Sequence, residues 1–106
     1  MRTVPVPLSD SEIERRLREL PSWSRVDDEI TKTFSIRYHG GVALIVHVAD
    51  VERRIGHYAD IDLRWDSIRF GITTHDAGHR ITAADFDPGS VDIDDCAAFY
   101  QTDRRS

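Results

Sequence analysis

The sequence predicts an α+β fold: a four-stranded antiparallel sheet with helices packed on one face, in α-β-β-α-β-β-α order. Three observations carry this. Two stretches, 23–36 and 61–72, alternate apolar and polar residues about a turn signal, which is the pattern of a hairpin. Between them, Leu44, Val48, Val51 and Ile55 recur at three- and four-residue steps, the pattern of a helix with one buried face. The whole chain is 106 residues, enough for one core and too few for two.

Residues 1–7 contain Pro5 and Pro7 and read as an extended lead-in. Ser9 with Glu12 three residues on fits a capping box and opens the first helix. Ile13, Leu17 and Leu20 form its apolar stripe, and Pro21 ends it. Trp23 and Val26 belong to a short strand, Asp27-Asp28 to a turn. Ile30, Lys32, Phe34 and Ile36 then share one face of a second strand. His39-Gly40-Gly41 is read as a break, with a solvated His39, before a helix over residues 42–55. His47 falls inside that helix as a partly buried residue, and Gly56 suits its exit. Ile61, Leu63 and Trp65 share a face of the third strand, and Ile68, Phe70 and Ile72 a face of the fourth, with Asp66-Ser67 between them. Residues 77–80 form a loop. Thr82 is placed to cap a short turn through Asp85 and Phe86, which Pro88-Gly89 stops. The stretch from Ser90 to Tyr100 reads as a last capped helix, with acids in its first turn favouring the helix dipole. A short frayed tail is expected after it.

Composition excludes several classes. Hydrophobic residues make up 40% and charged residues 31%, which is globular rather than disordered. No apolar run approaches the ~20 residues of a membrane span, and the start lacks the apolar segment of a secretory signal. A lone cysteine, Cys96, has no partner for an internal disulfide, and metal-type cysteine spacing is absent. A cytoplasmic location is therefore expected, with no membrane partner. The net charge is −5. The arginines at 15, 16, 18, 53 and 54 are interleaved with acids and read as solvated helix faces, which argues against direct nucleic-acid binding.

Phosphate-cradling glycine loops, serine nucleophile elbows and zinc-binding His-Glu-x-x-His helices are all missing. Cys96 follows Asp94-Asp95, a poor setting for a thiolate and a good one for a buried structural cysteine. Histidines are the remaining chemistry. His57 stands at a helix-to-strand exit and His75 at a strand-to-loop exit, and in a four-stranded layer such ends can converge at one rim. Imidazole, with an ordinary pKa of ~6.5, suits proton transfer in both directions near neutral pH. Asp60, Asp62 and Asp76 can orient an imidazole, and Tyr58 or Trp65 can stack on a flat ring. Residue by residue, two polar rim histidines with no joint role remain the commoner outcome of such a pattern.

The joint spacing of three segments goes further. His57-Tyr58-Ala59-Asp60, then Trp65, then Thr74-His75-Asp76 resembles the pterin-4a-carbinolamine dehydratases, also called 4a-hydroxytetrahydrobiopterin dehydratases. The likeness runs over about residues 8–87 and includes Leu8-Ser9-Asp10, Leu20-Pro21-Ser22-Trp23 and the Phe34 strand. It implies one domain over 1–106, dehydration of a 4a-hydroxytetrahydropterin to the quinonoid dihydropterin, no metal and no cofactor, and a homodimer or homotetramer. Position by position it implies His57 and His75 as catalytic residues, Trp65 as the pocket aromatic, and Tyr58, Asp60, Thr74 and Asp76 as further substrate-binding residues. Departures are specific. The family's second histidine is Tyr58 here, and a phenol is a far weaker base than imidazole near neutral pH. The proline after it is Ala59, the later Gly-Gly is replaced by Gly78-His79-Arg80, and residues 88–106 form a divergent C-terminal segment. Asp85 still matches the family's aspartate. These departures leave a second reading: a protein of this fold without pterin activity, acting as a protein-binding or assembly factor or on another heterocyclic substrate.

Overall fold

Each strand of this chain alternates apolar and polar side chains, so pairing the strands divides the layer into a greasy face and a wet one. The computed structural model, which describes residues 5–101, shows four antiparallel strands in the order β1-β2-β4-β3. They are β1 Ser24–Val26, β2 Glu29–Phe34, β3 Asp60–Leu63 and β4 Ile68–Ile72. The register sets Ile30 against Ile72, Phe34 against Ile68 and Ile61 against Phe70. Ile30, Phe34, Ile68, Phe70 and Ile72 are buried in one core with Ile13, Leu44, Val48, Ile81, Phe86 and Ile93. Leu17, Val51 and Leu63 pack at its margin. The other face carries Thr31, Thr33, Arg69, Gly71, Asp60 and Asp62 at the alternate positions.

Three helices cover the apolar face. Helix α1 spans Asp10–Arg18, and Ser9 Oγ accepts the Glu12 backbone N–H at 3.2 Å. Only that half of the expected capping box forms, because the Glu12 carboxylate turns to Arg15 and Arg16. Helix α2 spans Tyr38–Ile55 and ends at Gly56, whose φ of 70° is the left-handed exit anticipated for it. Its start corrects the expected break at residues 39–41. Gly41 is helical and buried, and a Cβ there would lie 2.6 Å from Leu63 Cδ1. The glycine lets the helix settle onto β3 instead of interrupting it. His39 is exposed as expected, but on the first turn of α2. His47 is half-buried against Tyr100, their ring centroids 5.8 Å apart.

The second hairpin is shorter than its alternation suggested. Arg64 N–H donates to Ser67 O at 2.8 Å, so the turn begins directly after Leu63 and Trp65 lies outside the strand. After β4 a short 3-10 turn, His75–Ala77, closes on Gly78 in the left-handed conformation. Pro88-Gly89 kinks the chain rather than stopping it. An irregular helical stretch, Asp85–Ser90, breaks at Asp87 and runs into helix α3, Val91–Ala97. Ser90 does not cap α3, since its hydroxyl donates to Phe86 O at 2.7 Å. Instead Asp94 docks α3 on the sheet, accepting from Trp23 Nε1 at 3.1 Å and from Lys32 Nζ at 2.8 Å. Cys96 is buried, as a structural cysteine should be.

The lead-in joins the fold through Leu8 N–H donating to Ile81 O at 2.8 Å. The first four residues of the expected lead-in, and the expected frayed tail beyond residue 101, lie outside the described residues. Among the described residues no helix is long and apolar enough to cross a membrane.

The alternation yields a direct test on two adjacent residues. Phe34 is 2% exposed and meets Phe70 edge-on, with centroids 5.8 Å apart. Phe34→Ala should cost ~3–5 kcal/mol in urea denaturation. Thr33→Ala, on the opposite face, should cost less than about 1 kcal/mol. Equal losses at the two positions would contradict the two-faced sheet.

Candidate active site

The left-handed exit at Gly56 turns the chain out of α2 and sets His57 beside the residues that follow β4. His57 Nε2 lies 2.6 Å from Asp85 Oδ1. Asp85 is 0% exposed, so its carboxyl group depends wholly on protein partners. Its Oδ2 accepts from the Thr74 hydroxyl at 2.9 Å and from the Thr82 backbone N–H at 2.8 Å. The Thr74 and Thr82 hydroxyls stand 2.7 Å apart. With Thr74 donating to Asp85, the Thr82 hydroxyl donates to Thr74 and accepts the Ala84 N–H at 3.3 Å. Every proton in this buried chain has a place. A bond from Nε2–H to Asp85 Oδ1 fixes the imidazole tautomer and leaves Nδ1 free of that contact.

This arrangement raises the pKa of His57. The Asp85 hydrogen bond is the chief cause, with smaller contributions from the charges of Asp85, Glu52 and Asp76, while burial works in the opposite direction. The imidazolium is thereby favoured nearer neutral pH than in a free histidine.

His57 opens onto a pocket of about 210 Å³, lined also by Gly56, Tyr58, Thr73, Thr74, His75 and Asp76. His57, His75, Tyr58 and Asp76 therefore come together at one rim. Thr74 contributes mainly from behind, as a buried partner of Asp85. A wider groove of about 400 Å³ shares Thr73 and His75 with this pocket and continues past Asp60 and His79 to Asp27, Asp28 and Glu29. The rings of His75 and His79 lie 4.7 Å apart, centroid to centroid. Asp60 thus belongs to the adjoining groove. Trp65 lines neither space. It is 68% exposed in the turn after Leu63, at the end of β3 opposite Asp60, and Tyr58 is the aromatic residue that lines the smaller pocket. Among the described residues no group of three or more His, Cys, Asp or Glu side chains is disposed to hold a metal ion.

The sequence pattern alone gave no site role to Asp85 or Thr82. The Thr82-x-x-Asp85 spacing is that of a capping box, and Asp85 does reach back to the Thr82 N–H in that manner. Its other oxygen is free for His57, 28 residues away in the chain. Local spacing signals the first contact and is silent on the second.

A family profile described as pterin 4 alpha carbinolamine dehydratase matches residues 6–89. A protein of Roseiflexus sp. (strain RS-1), provisionally named pterin-4-alpha-carbinolamine dehydratase, is 46% identical over 81 residues, covering 76% of this chain and 86% of the relative. One from Nocardia farcinica, named in the same way, is 41% identical over 81 residues, covering 76% and 84%. The crystal structure of a transcriptional coactivator/pterin dehydratase from Brucella melitensis superposes with a TM-score of 0.77 at 20% identity, covering 87% of this chain and 99% of that one. At that identity the structural likeness speaks for the fold alone.

The raised His57 pKa has a signed consequence for stability. The folded protein holds the His57 proton more tightly than the unfolded chain. Its contribution is fully present below the unfolded pKa of ~6.5 and is lost as pH rises through the higher folded value. Urea midpoints should fall across that window in the wild type, and His57→Gln should remove that component. A stability that rises through the same window, with the same profile in His57→Gln, would contradict the His57–Asp85 pair.

Proposed function

The chain belongs to the pterin 4 alpha carbinolamine dehydratase family, and from that footing we propose that it dehydrates a 4a-hydroxytetrahydropterin to the quinonoid dihydropterin by histidine acid–base catalysis. One observation carries the reading: His57, locked to a fully buried Asp85, lines the same pocket as His75. The substrate must lose a hydroxyl from ring carbon C4a and a proton from a ring nitrogen. The nitrogen's electron pair forms the new C=N bond as the C–O bond breaks, and one water leaves. No electrons are exchanged with a second reactant.

His57 suits the acid role. Its raised pKa supports the imidazolium near neutral pH, and Nδ1 gives its proton to the departing hydroxyl. His75 takes the proton from the ring nitrogen. Tyr58 offers a flat face and a hydroxyl at the pocket wall, where a bicyclic ring can stack. Asp85 acts through His57 by holding its tautomer and stabilising its charge, and Thr74 and Thr82 hold Asp85.

The test is a dehydration assay on a 4a-hydroxytetrahydropterin with the uncatalysed rate as baseline. Wild type should exceed that baseline. His57→Ala and His75→Ala should each lower kcat/KM by ~10²–10⁴-fold, and Tyr58→Phe should change it far less. In the wild type, activity should fall as pH rises through the His57 pKa, and Asp85→Asn should move that limb to lower pH. Wild-type turnover no faster than baseline would overturn the reading. So would two histidine variants that match the wild type.

A further inference from the structure

Helix α2 turns its 44, 48 and 52 positions into the protein, and the last of these is not apolar. Glu52 is 8% exposed, following Leu44 and Val48 on the same stripe. It borders a small apolar cavity with Val48, Val51, Ile55, Ile72 and Ile93. A carboxyl group in such surroundings is costly unless a partner holds it. Among the described residues Glu52 makes no ion pair within 4.0 Å. Its Oε2 accepts one hydrogen bond, from the Ala59 backbone N–H at 2.8 Å. Its backbone carbonyl accepts another, from the Gly56 N–H at 2.8 Å. One residue therefore holds the chain at 56 and again at 59, and the short loop between those points consists of His57 and Tyr58.

We propose that Glu52 is a positioning residue for His57: its side chain clamps the Ala59 amide, fixes the 56–59 loop to the end of α2, and so presents the imidazole to Asp85 and to the pocket. The consequence for turnover rests on the dehydratase reading, whereas the clamp itself does not. Without the side-chain acceptor, the Ala59 N–H loses its partner, and between Gly56 and the start of β3 at Asp60 the loop keeps only the His57–Asp85 contact. A displacement of about 1 Å at a reacting group can cost ~10²-fold in rate. Outer partners that orient a functional histidine typically matter by ~10–100-fold at metal sites, a fair guide for this one.

Charge follows the same geometry. Burial is the largest influence on Glu52 and raises its pKa, while the Ala59 amide and His57 act to lower it. Glu52 in turn adds to the forces raising the His57 pKa. The titratable groups facing this corner are Asp85, Asp76, His75 and Tyr58 around His57, and Asp92 and Cys96 of the α3 segment across the small cavity, which His57 also lines.

Four proteins test the clamp, each as the full chain: Glu52→Gln, Glu52→Ala, Ala59→Pro and the Glu52→Ala/Ala59→Pro pair. Glutamine keeps an acceptor oxygen and removes the charge. Alanine removes both. Proline removes the amide donor. Two readouts are taken: the His57 ring signals by NMR through a pH titration, and kcat and KM for 4a-hydroxytetrahydropterin dehydration.

Glu52→Ala should lower the His57 pKa, alter its ring signals and reduce kcat by ~10–100-fold, with KM within about 3-fold. Glu52→Gln should stay within about 3-fold of wild type in kcat while lowering the His57 pKa. Once Ala59→Pro has removed the donor, adding Glu52→Ala should cost less than about 3-fold further. Glu52→Gln as impaired as Glu52→Ala would overturn the clamp, as would a Glu52→Ala loss that persists undiminished in the Ala59→Pro background. Unchanged His57 signals in Glu52→Ala would do the same. A wild type that does not turn over the pterin sinks the dehydratase reading alone, because the ring signals still decide the clamp.

Discussion

The buried carboxyl group of Asp85 is the constraint around which the rest of this structure is arranged. With no solvent contact, it must be satisfied by protein donors or it would destabilise the fold. Its partners come from three places: His57 after α2, Thr74 after β4, and Thr82 just ahead of the kinked stretch that leads to α3. Holding them in reach requires that α2 end where it does and that β4 run to its proper length. The kinked passage after Thr82 must also return under the sheet. The glycine exit at residue 56 and the tight turn at residues 75–78 are the local means of meeting that requirement. The proposed site of proton transfer and a structural tie between three segments are here the same set of atoms.

Much of the architecture was legible because it follows from periodicity. Hairpin alternation placed Phe34, Phe70 and Ile72 on the core face, and the helical stripe placed Leu44 and Val48. Boundaries were harder, for identifiable reasons. The glycines at 40 and 41 have the composition of a turn, but Gly41 meets the needs of packing against Leu63, which no local window contains. Trp65 continues the alternation of Ile61 and Leu63 on paper, yet the Arg64–Ser67 turn closes first. In both cases a contact between distant or opposed residues decided against a local pattern.

Site residues divide along the same line. His57, Tyr58, His75 and Asp76 were readable because they sit at element ends in a recognisable spacing, and the structure gathers them at one pocket. Asp85 and Glu52 were not readable as partners of this corner, since each looks ordinary in its own stretch. Asp85 completes a capping pattern, and Glu52 is one more acid in a charged helix end. Their importance lies in burial and in partners reached across the fold or across a chain reversal. The same holds for Asp94, whose contacts with Trp23 and Lys32 dock α3 and which reads in sequence as a favourable first-turn acid.

The groove beside the pocket has an electrical character that bears on how molecules arrive. Asp27, Asp28, Glu29 and Asp60 line it. Arg25 and Arg80 offset Asp28, and Arg69 offsets Glu29. Asp27 and Asp60 have no ion-pair partner among the described residues, and the chain as a whole carries −5. A molecule diffusing in by this route meets a repulsive field if it carries phosphate or carboxylate groups, and little field if it is neutral. The Debye length is ~8 Å at physiological ionic strength, so the field acts mainly at close approach. Encounter rates of neutral ligands should be nearly indifferent to salt, while those of anionic ones should rise as salt is added.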